Sequence, residues 1–572
     1  MKTTSSIDSR RETGSALALT LVMTGIALAI LASAMTWSAN STRLTHRSIQ
    51  YTRSVAAAEA ATEKVLTRMT QDYLTGGDTL VAQRLGAYRL AVPNATDSGF
   101  WNGWEFNDAS GNNGRNFVLS GTASNYANVN SAYAGLRGFV TTYTVVAHAR
   151  ETASLNDVMG GVLQEVQLAR IPVFQFAMYS SGDMEISCGQ AFNITGRVHA
   201  NKQLYVEPDS LLTFQSDVTA VNSILFQRHP LDTRGAPGGS AVYQSKKDEG
   251  VGAMSLPIGT NNSPESIREI IQPAPAGEDP NSPLGRLRYH NLADMILVVS
   301  NTSVSATSGR ANNFGGSVSV GELAAMVSTA SSFRDEREGK TVRPIDIDVG
   351  ALAVWSQINT NIGPISSVYV LDRRTLGGAE LGAVRVRNGQ NLPSGGLTVA
   401  TARPMYVLGH YNQMNNLNLG TTNTITTKPA SIVADAVTIL STAWTDGNST
   451  AGVGSRNANH TTVNAAILTG VVETTLGKYS GGMENFPRFL ETWGSGNTFT
   501  YNGSMVKMFP SLYATNAWGK AGVYAPPRRN WAFDLNFYDK DKLPPLTPGL
   551  VKVFRGQWAT VAPGQKSLAS VP

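Results

Sequence analysis

The sequence predicts an α+β unit followed by an all-β body. A long N-terminal transmembrane and spine helix leads into a small antiparallel sheet, then into a β-solenoid-like domain with an irregular insertion. Three observations predict this. Residues 13–42 carry no charged side chain. Residues 43–74 contain neither Gly nor Pro. Beyond Pro172, Val/Ile-rich runs three to eight residues long recur between Gly, Asn and Asp. A β-sandwich is the alternative for that last part.

Within the uncharged stretch, Ser15 to Trp37 is mostly Ala, Leu, Ile, Val and Met. It is long enough for the roughly 20 residues that cross a bilayer as a helix. Lys2, Arg10 and Arg11 precede it and favour a cytoplasmic N-terminus, whereas Arg43, Arg47 and Arg53 follow it and weaken that asymmetry. The helix has no reason to stop at the membrane. Val55 to Leu66 is rich in Ala and strongly helix-forming, and Val55, Ala58, Thr62, Val65 and Met69 mark one face at helical spacing. Gly76-Gly77 is the first stop signal. The expected rod is residues 15–75, after a cytoplasmic leader of residues 1–14.

The order of parts is a short charged leader, Gly14, the small Ser15, an apolar run opening Ser15-Ala16-Leu17, and a helix containing Ala57-Ala58-Glu59-Ala60. It resembles the class III leader and spine helix of type IV pilins, above all the PilX-type minor pilins, over roughly the first seventy residues. The resemblance implies cleavage by a prepilin peptidase between Gly14 and Ser15. It also implies that the fifth mature residue, a Glu in major pilins, is Leu19 here. A subunit without that carboxylate suits a tip or initiation complex, or lies outside the pilin pathway. Two rival signals share the segment: Ala32-Ser33-Ala34 fits a signal peptidase site, and Ser9-Arg10-Arg11 is a partial twin-arginine pattern.

The exported part is expected to begin with a pilin-like α+β head over residues 76–172. Its paired strands are Gly138 to Ala147 and Val162 to Ile171, both of which alternate apolar and polar residues. Solenoid rungs are expected over 173–228 (around Met184, Phe192, Leu204 and Leu212) and over 343–510 (around Ala383, Leu397, Met405, Ile432, Ala465 and Phe499). Residues 229–342 read as an irregular insertion containing one buried strand near Met295 and a short helix near Val320. Residues 511–572 read as a Pro- and aromatic-rich extension laid over an open end. The runs Leu397 to Thr401, Pro404 to Val407 and Tyr411-Asn412 also resemble an uncharacterised group of large pilus-assembly-like proteins, which implies architecture and no activity.

Composition narrows the function. A net charge of +5 over 572 residues, with no long basic block, does not call for nucleic acid. Cys188 is the only cysteine, so no intrachain disulfide forms. Its strand-like setting suggests a buried thiol, with a reactive role as the alternative. No P-loop or Gly-x-Ser-x-Gly elbow occurs. His199 and His410 sit beside turns. Asp346 and Asp348 share one strand face, either as a solvated pair or as the acid/base pair of a glycan-cleaving enzyme. Asp534, Asp539 and Asp541 form an acidic loop whose spacing fails the EF-hand pattern. Trp444, Trp493, Trp518 and Trp531 are core residues or the lining of a sugar groove.

These features favour a membrane-anchored, non-catalytic, pilin-like minor component of a type IV pilus or type II secretion-like machine, with an assembly or tip adhesion role. No metal or cofactor is expected. The expected partners are inner-membrane lipid, the prepilin peptidase, other pilins or pseudopilins and a surface glycan or cell-surface ligand. The alternative is an exported, tethered carbohydrate-active enzyme or binding module.

Overall fold

The computed structural model describes residues 15–121, 124–129, 133–154, 156–309, 316–359, 362–494, 496–519 and 521–567. The leader, including Gly14, lies outside the described residues.

Helix α1 spans Ser15–Gln83. Residues 15–49 are exposed on every side, whereas from Ser54 onward one stripe is buried: Ser54, Ala58, Thr62, Val65 and Met69, with Ala57, Ala61 and Leu66 beside it. That stripe recurs every three or four residues, as a helix face must. The expected stop at Gly76-Gly77 is a kink instead. Gly77 takes φ 63°, ψ −159°, a backbone state open to Gly, and helical bonding then resumes to Gln83. The break is real, but the residues after it favour helix and restart it.

Against this stripe lies a six-stranded sheet. Strand β4 (Arg137–Glu151) pairs antiparallel with β5 (Met159–Pro172), Phe139 facing Arg170 at one end and Arg150 facing Met159 at the other. Strands β1 (Trp104–Asn107), β2 (Phe117–Ser120) and β3 (Asn125–Asn128) each pair antiparallel with β4. The sixth strand comes from the far end of the chain: Gly549–Thr560 runs antiparallel along β5. The C-terminal extension therefore does more than lie over an open end, because its last strand completes the sheet that seats the helix.

The rest is a large β-rich body of several sheets. Eleven strands form the largest, in which every neighbouring pair is parallel except Met295–Val299 with Val304–Thr307. Lys340–Asp348, Glu380–Arg387, Met405–Leu408, Val437–Leu440 and Arg488–Phe489 form a second parallel run. Thr461–Asn464, Thr498–Gly503 and Arg528–Phe533 form a third. Strands such as Leu397–Thr401 and Ala430–Ala434 are buried at every residue, as parallel strands covered on both faces are. This pairing differs from the antiparallel sheets of a β-sandwich.

The chain enters this body in its middle. Met178–Ser180 leads through Val198–Ala200 and Val218–Ala220 to Lys247–Glu249 at one edge. The chain then crosses to Met295–Val299 near the other edge and returns strand by strand to Met505–Pro510, which pairs with Met178–Ser180. Residues 229–342 are thus not wholly irregular: Ser240–Tyr243, Lys247–Glu249 and Met295–Val299 are members of the sheets. The charged Lys247-Asp248-Glu249 edge discourages further strand addition.

Candidate functional site

The helix and its seat form the part of the molecule most clearly shaped for a role. Among the described residues, α1 is the one helix long and apolar enough to cross a membrane, and its apolar window is not buried at all. A core helix of the same composition would be covered. Four hydroxyls of the apolar run turn back on their own helix: Thr20 Oγ1 donates to the Leu17 carbonyl at 2.9 Å, Thr24 Oγ1 to the Thr20 carbonyl at 2.6 Å, Ser33 Oγ to the Ala29 carbonyl at 2.8 Å and Thr36 Oγ1 to the Ala32 carbonyl at 2.9 Å. Polar groups satisfied inside the helix need no water, which is what a hydrocarbon environment demands. Ser15 is the first helical residue described, and Leu19 points outward with no carboxylate nearby on this half.

The seat depends on small residues. Ala57, Ala58 and Ala61 pack on Phe106, Ala147, Ala149 and Val162. Gly160 on β5 lies so close that a Cβ there would stand 2.5 Å from the Val55 nitrogen and 2.7 Å from the Ser54 carbonyl carbon. Ser54 Oγ donates to the Val158 carbonyl at 3.1 Å. Higher up, Val65, Leu66, Met69 and Tyr73 pack on Tyr143, Val145, Val166, Leu168 and Val551. Ion pairs rim the seat: Arg53 with Glu151 at 2.8 Å, Lys64 with Asp97 at 2.5 Å and Glu63 with Arg555 at 2.8 Å. At the Gly77 kink a cavity of about 490 Å³ opens between helix, sheet and body, lined by Asp78, Arg170, Arg286, Leu287 and Leu546 among others. Burial raises the Asp78 carboxyl there.

The residues singled out for chemistry are mostly structural in their surroundings. Cys188 is buried, and burial, with Glu484 second, pushes its thiol up to about 12. His199 is fully buried, its Nδ1 2.8 Å from Thr219 Oγ1 and its Nε2 2.9 Å from Asn201 Oδ1; burial lowers it to about 4. His410 Nδ1 accepts from the Thr462 amide at 3.1 Å. Asp346 and Asp348 are not a solvated pair. Asp346 is 3% exposed and bound by Arg385 at 2.5 and 3.0 Å, while Asp348 caps the helix Val349–Ile358. Arg385, itself buried against the Phe333 ring and paired with Asp446, covers Asp346, so its carboxylate does not meet water. Asp534 accepts from Thr424 Oγ1 at 2.9 Å, and Asp539 accepts from the Asp541 amide at 3.0 Å. No group of three or more His, Cys, Asp or Glu placed to hold a metal ion occurs among the described residues. Trp444, Trp493 and Trp531 are buried, and Trp518 donates to the Tyr524 hydroxyl at 3.1 Å.

Two constellations escaped the sequence reading. Glu207 is wholly buried, with Arg228 at 3.6 Å and Arg234 at 3.9 Å from its carboxylate. Burial, then the neighbouring Glu185, push its carboxyl up to about 8. Glu484, close by, accepts from the Ser187 amide at 3.1 Å, and burial raises it to about 7. The second is an asparagine ladder. Asn412 Nδ2 donates to the Asn464 carbonyl at 2.8 Å, Asn464 Nδ2 to the Asn412 carbonyl at 2.9 Å, and Asn502 Nδ2 to Asn464 Oδ1 at 2.8 Å. The repeated Tyr-Asn of 411–412 and 501–502 was its signal in the sequence.

No protein-family model matches the chain, and no curated protein matches it. Among solved structures, the competence-associated pilin ComZ from Thermus thermophilus aligns over 90% of this chain and 98% of its own, at 9% identity and a TM-score of 0.28. A likeness this slight fixes neither fold nor function.

Proposed function

We propose that the chain is a pilin-like, membrane-anchored minor component of a type IV pilus or type II secretion-like machine, with a non-catalytic assembly or tip adhesion role. The observation that carries this reading is the division of α1. One helix, continuous from Ser15 to the Gly77 kink, has an apolar first half that no described residue covers and a second half sunk into a six-stranded sheet. A cleaved signal sequence has no use for a helix that continues into the exported fold. In this reading residues 15–37 lie in the inner membrane, the N-terminus is cytoplasmic, and a prepilin peptidase cuts between Gly14 and Ser15. The parallel rungs favour a β-solenoid body, displayed outward to meet other pilins or a surface ligand. The buried ion pair of Asp346 and the covered tryptophans speak against a sugar-cleaving groove.

Fractionation tests this. Expected is a chain that resists carbonate extraction from inner membranes and copurifies with sheared pili or with pseudopilins. A chain recovered in the soluble fraction, never accompanied by pilins, would count against the proposal.

A further inference from the structure

We propose that Arg43 and Arg47 form a cationic collar that binds the phosphate headgroups of anionic phospholipid at the outer surface of the membrane. This inference rests on the membrane reading of α1. Both side chains lie on the exposed stretch of the helix, four residues apart and so on one face, with His46 beside them. Between Glu12 and Glu59 the sequence has no acidic residue, so the helix offers them no carboxylate of its own. The next cation, Arg53, is already held by Glu151 at 2.8 Å, whereas the ion pairs among the described residues include neither Arg43 nor Arg47.

Their height suits a headgroup. From Ser15 to Trp37 the helix rises about 33 Å at 1.5 Å per residue, enough for a hydrocarbon core about 30 Å thick. Trp37, fully on the surface, then stands at the boundary, where indole rings collect. Arg43 begins about 9 Å beyond it and Arg47 about 6 Å further. Side chains on a helix tilt toward its N-terminus, which here is back toward the bilayer. Long flexible arginines therefore bring their guanidinium groups down to the phosphate layer, where a planar fork of donors matches a phosphate. The first side-chain hydrogen bond from the helix to the body comes at Gln50, whose Oε1 accepts from Asn156 Nδ2 at 3.0 Å, leaving the stretch around Arg43 and Arg47 open for lipid.

The test uses the full chain in an uncharged detergent, mixed with equal amounts of phosphatidylglycerol and phosphatidylcholine. The retained lipid is counted by native mass spectrometry. Expected is an excess of phosphatidylglycerol, roughly fivefold per arginine and shrinking with added salt. Arg43→Gln/Arg47→Gln should abolish the excess, while Arg68→Gln, an exposed cation beyond the collar, should keep it. A double variant with undiminished preference overturns the proposal, as does an equal loss in Arg68→Gln. Equal retention of both lipids by the wild type also overturns it and leaves an acidic protein surface as the collar's partner. A chain that takes up no lipid of either kind overturns the membrane reading itself.

Discussion

Met505 lies beside Met178 in parallel register, its amide donating to the Ala177 carbonyl at 2.8 Å. Next to it, Ser504 Oγ donates to the Phe176 carbonyl at 2.5 Å in a fully buried setting. This seam joins the strands laid down first to those laid down last, so the two arms of the body should unfold as one. Trp493 fluorescence reports the late arm, and proteolysis within residues 178–249 reports the early one. Both should give the same urea midpoint. Ser504→Ala, which leaves a buried carbonyl unpaired, should shift both midpoints down together, by an amount equal to about 1–2 kcal/mol of unfolding free energy. Separate midpoints for the two arms would contradict the seam.

Gly160 sets how closely the spine helix approaches β5. Gly160→Val must push against the backbone of Ser54 and Val55, costing about 2–3 kcal/mol. Limited proteolysis should then cut the helix around Ala57, where the wild type is protected. Gly86→Ala, with nothing within 4 Å of the new methyl, should stay within about 0.5 kcal/mol of wild type.

Arg385 bridges Asp346 and Asp446, the latter at 2.6 Å. Arg385→Met strands the buried Asp346 carboxylate and should cost about 3–5 kcal/mol in chemical denaturation. Adding Asp346→Leu should recover much of the loss, because an apolar pair removes the uncompensated charge. If the double variant is as unstable as the single, packing rather than charge dominates there.

Glu207 makes stability depend on pH with a definite sign. Its carboxyl is held at about 8 in the folded chain, above its ordinary value near 4.5. Between those values the folded state keeps a proton that the unfolded state has released. Stability is therefore lost as pH rises from about 4.5 to about 8 and changes little from this group beyond. Glu207→Gln mimics the protonated form. It should match wild type near pH 4.5 and exceed it at pH 8 and above by on the order of 3 kcal/mol. Parallel stability curves for the two proteins would show that the Arg228 and Arg234 guanidiniums already neutralise the carboxylate.

Local pattern made the helix, its buried stripe, the β4–β5 pair and many of the short strands readable. Charge-free and Gly-free stretches, and period-two alternation, belong to neighbouring residues and survive without knowledge of the fold. What failed was long-range or two-faced. Nothing near Met178 announces Met505 as its neighbour, and the strand Gly549–Thr560 hides behind Pro544, Pro545 and Pro548. Asp346 was misplaced because alternation tells inside from outside only where one face of a sheet meets water. Glu207 gave no signal at all, since its partners Arg228 and Arg234 follow it only after the strands Leu211–Phe214, Val218–Ala220 and Ile224–Leu225.

The mature N-terminus decides the central claim most directly. Intact and peptide mass spectrometry of the chain from the membrane fraction should find a protein beginning at Ser15, with the apolar half of α1 retained. A chain beginning at Met35 and free in solution would mean that this half is only an export signal, and the anchored, pilin-like account would be wrong.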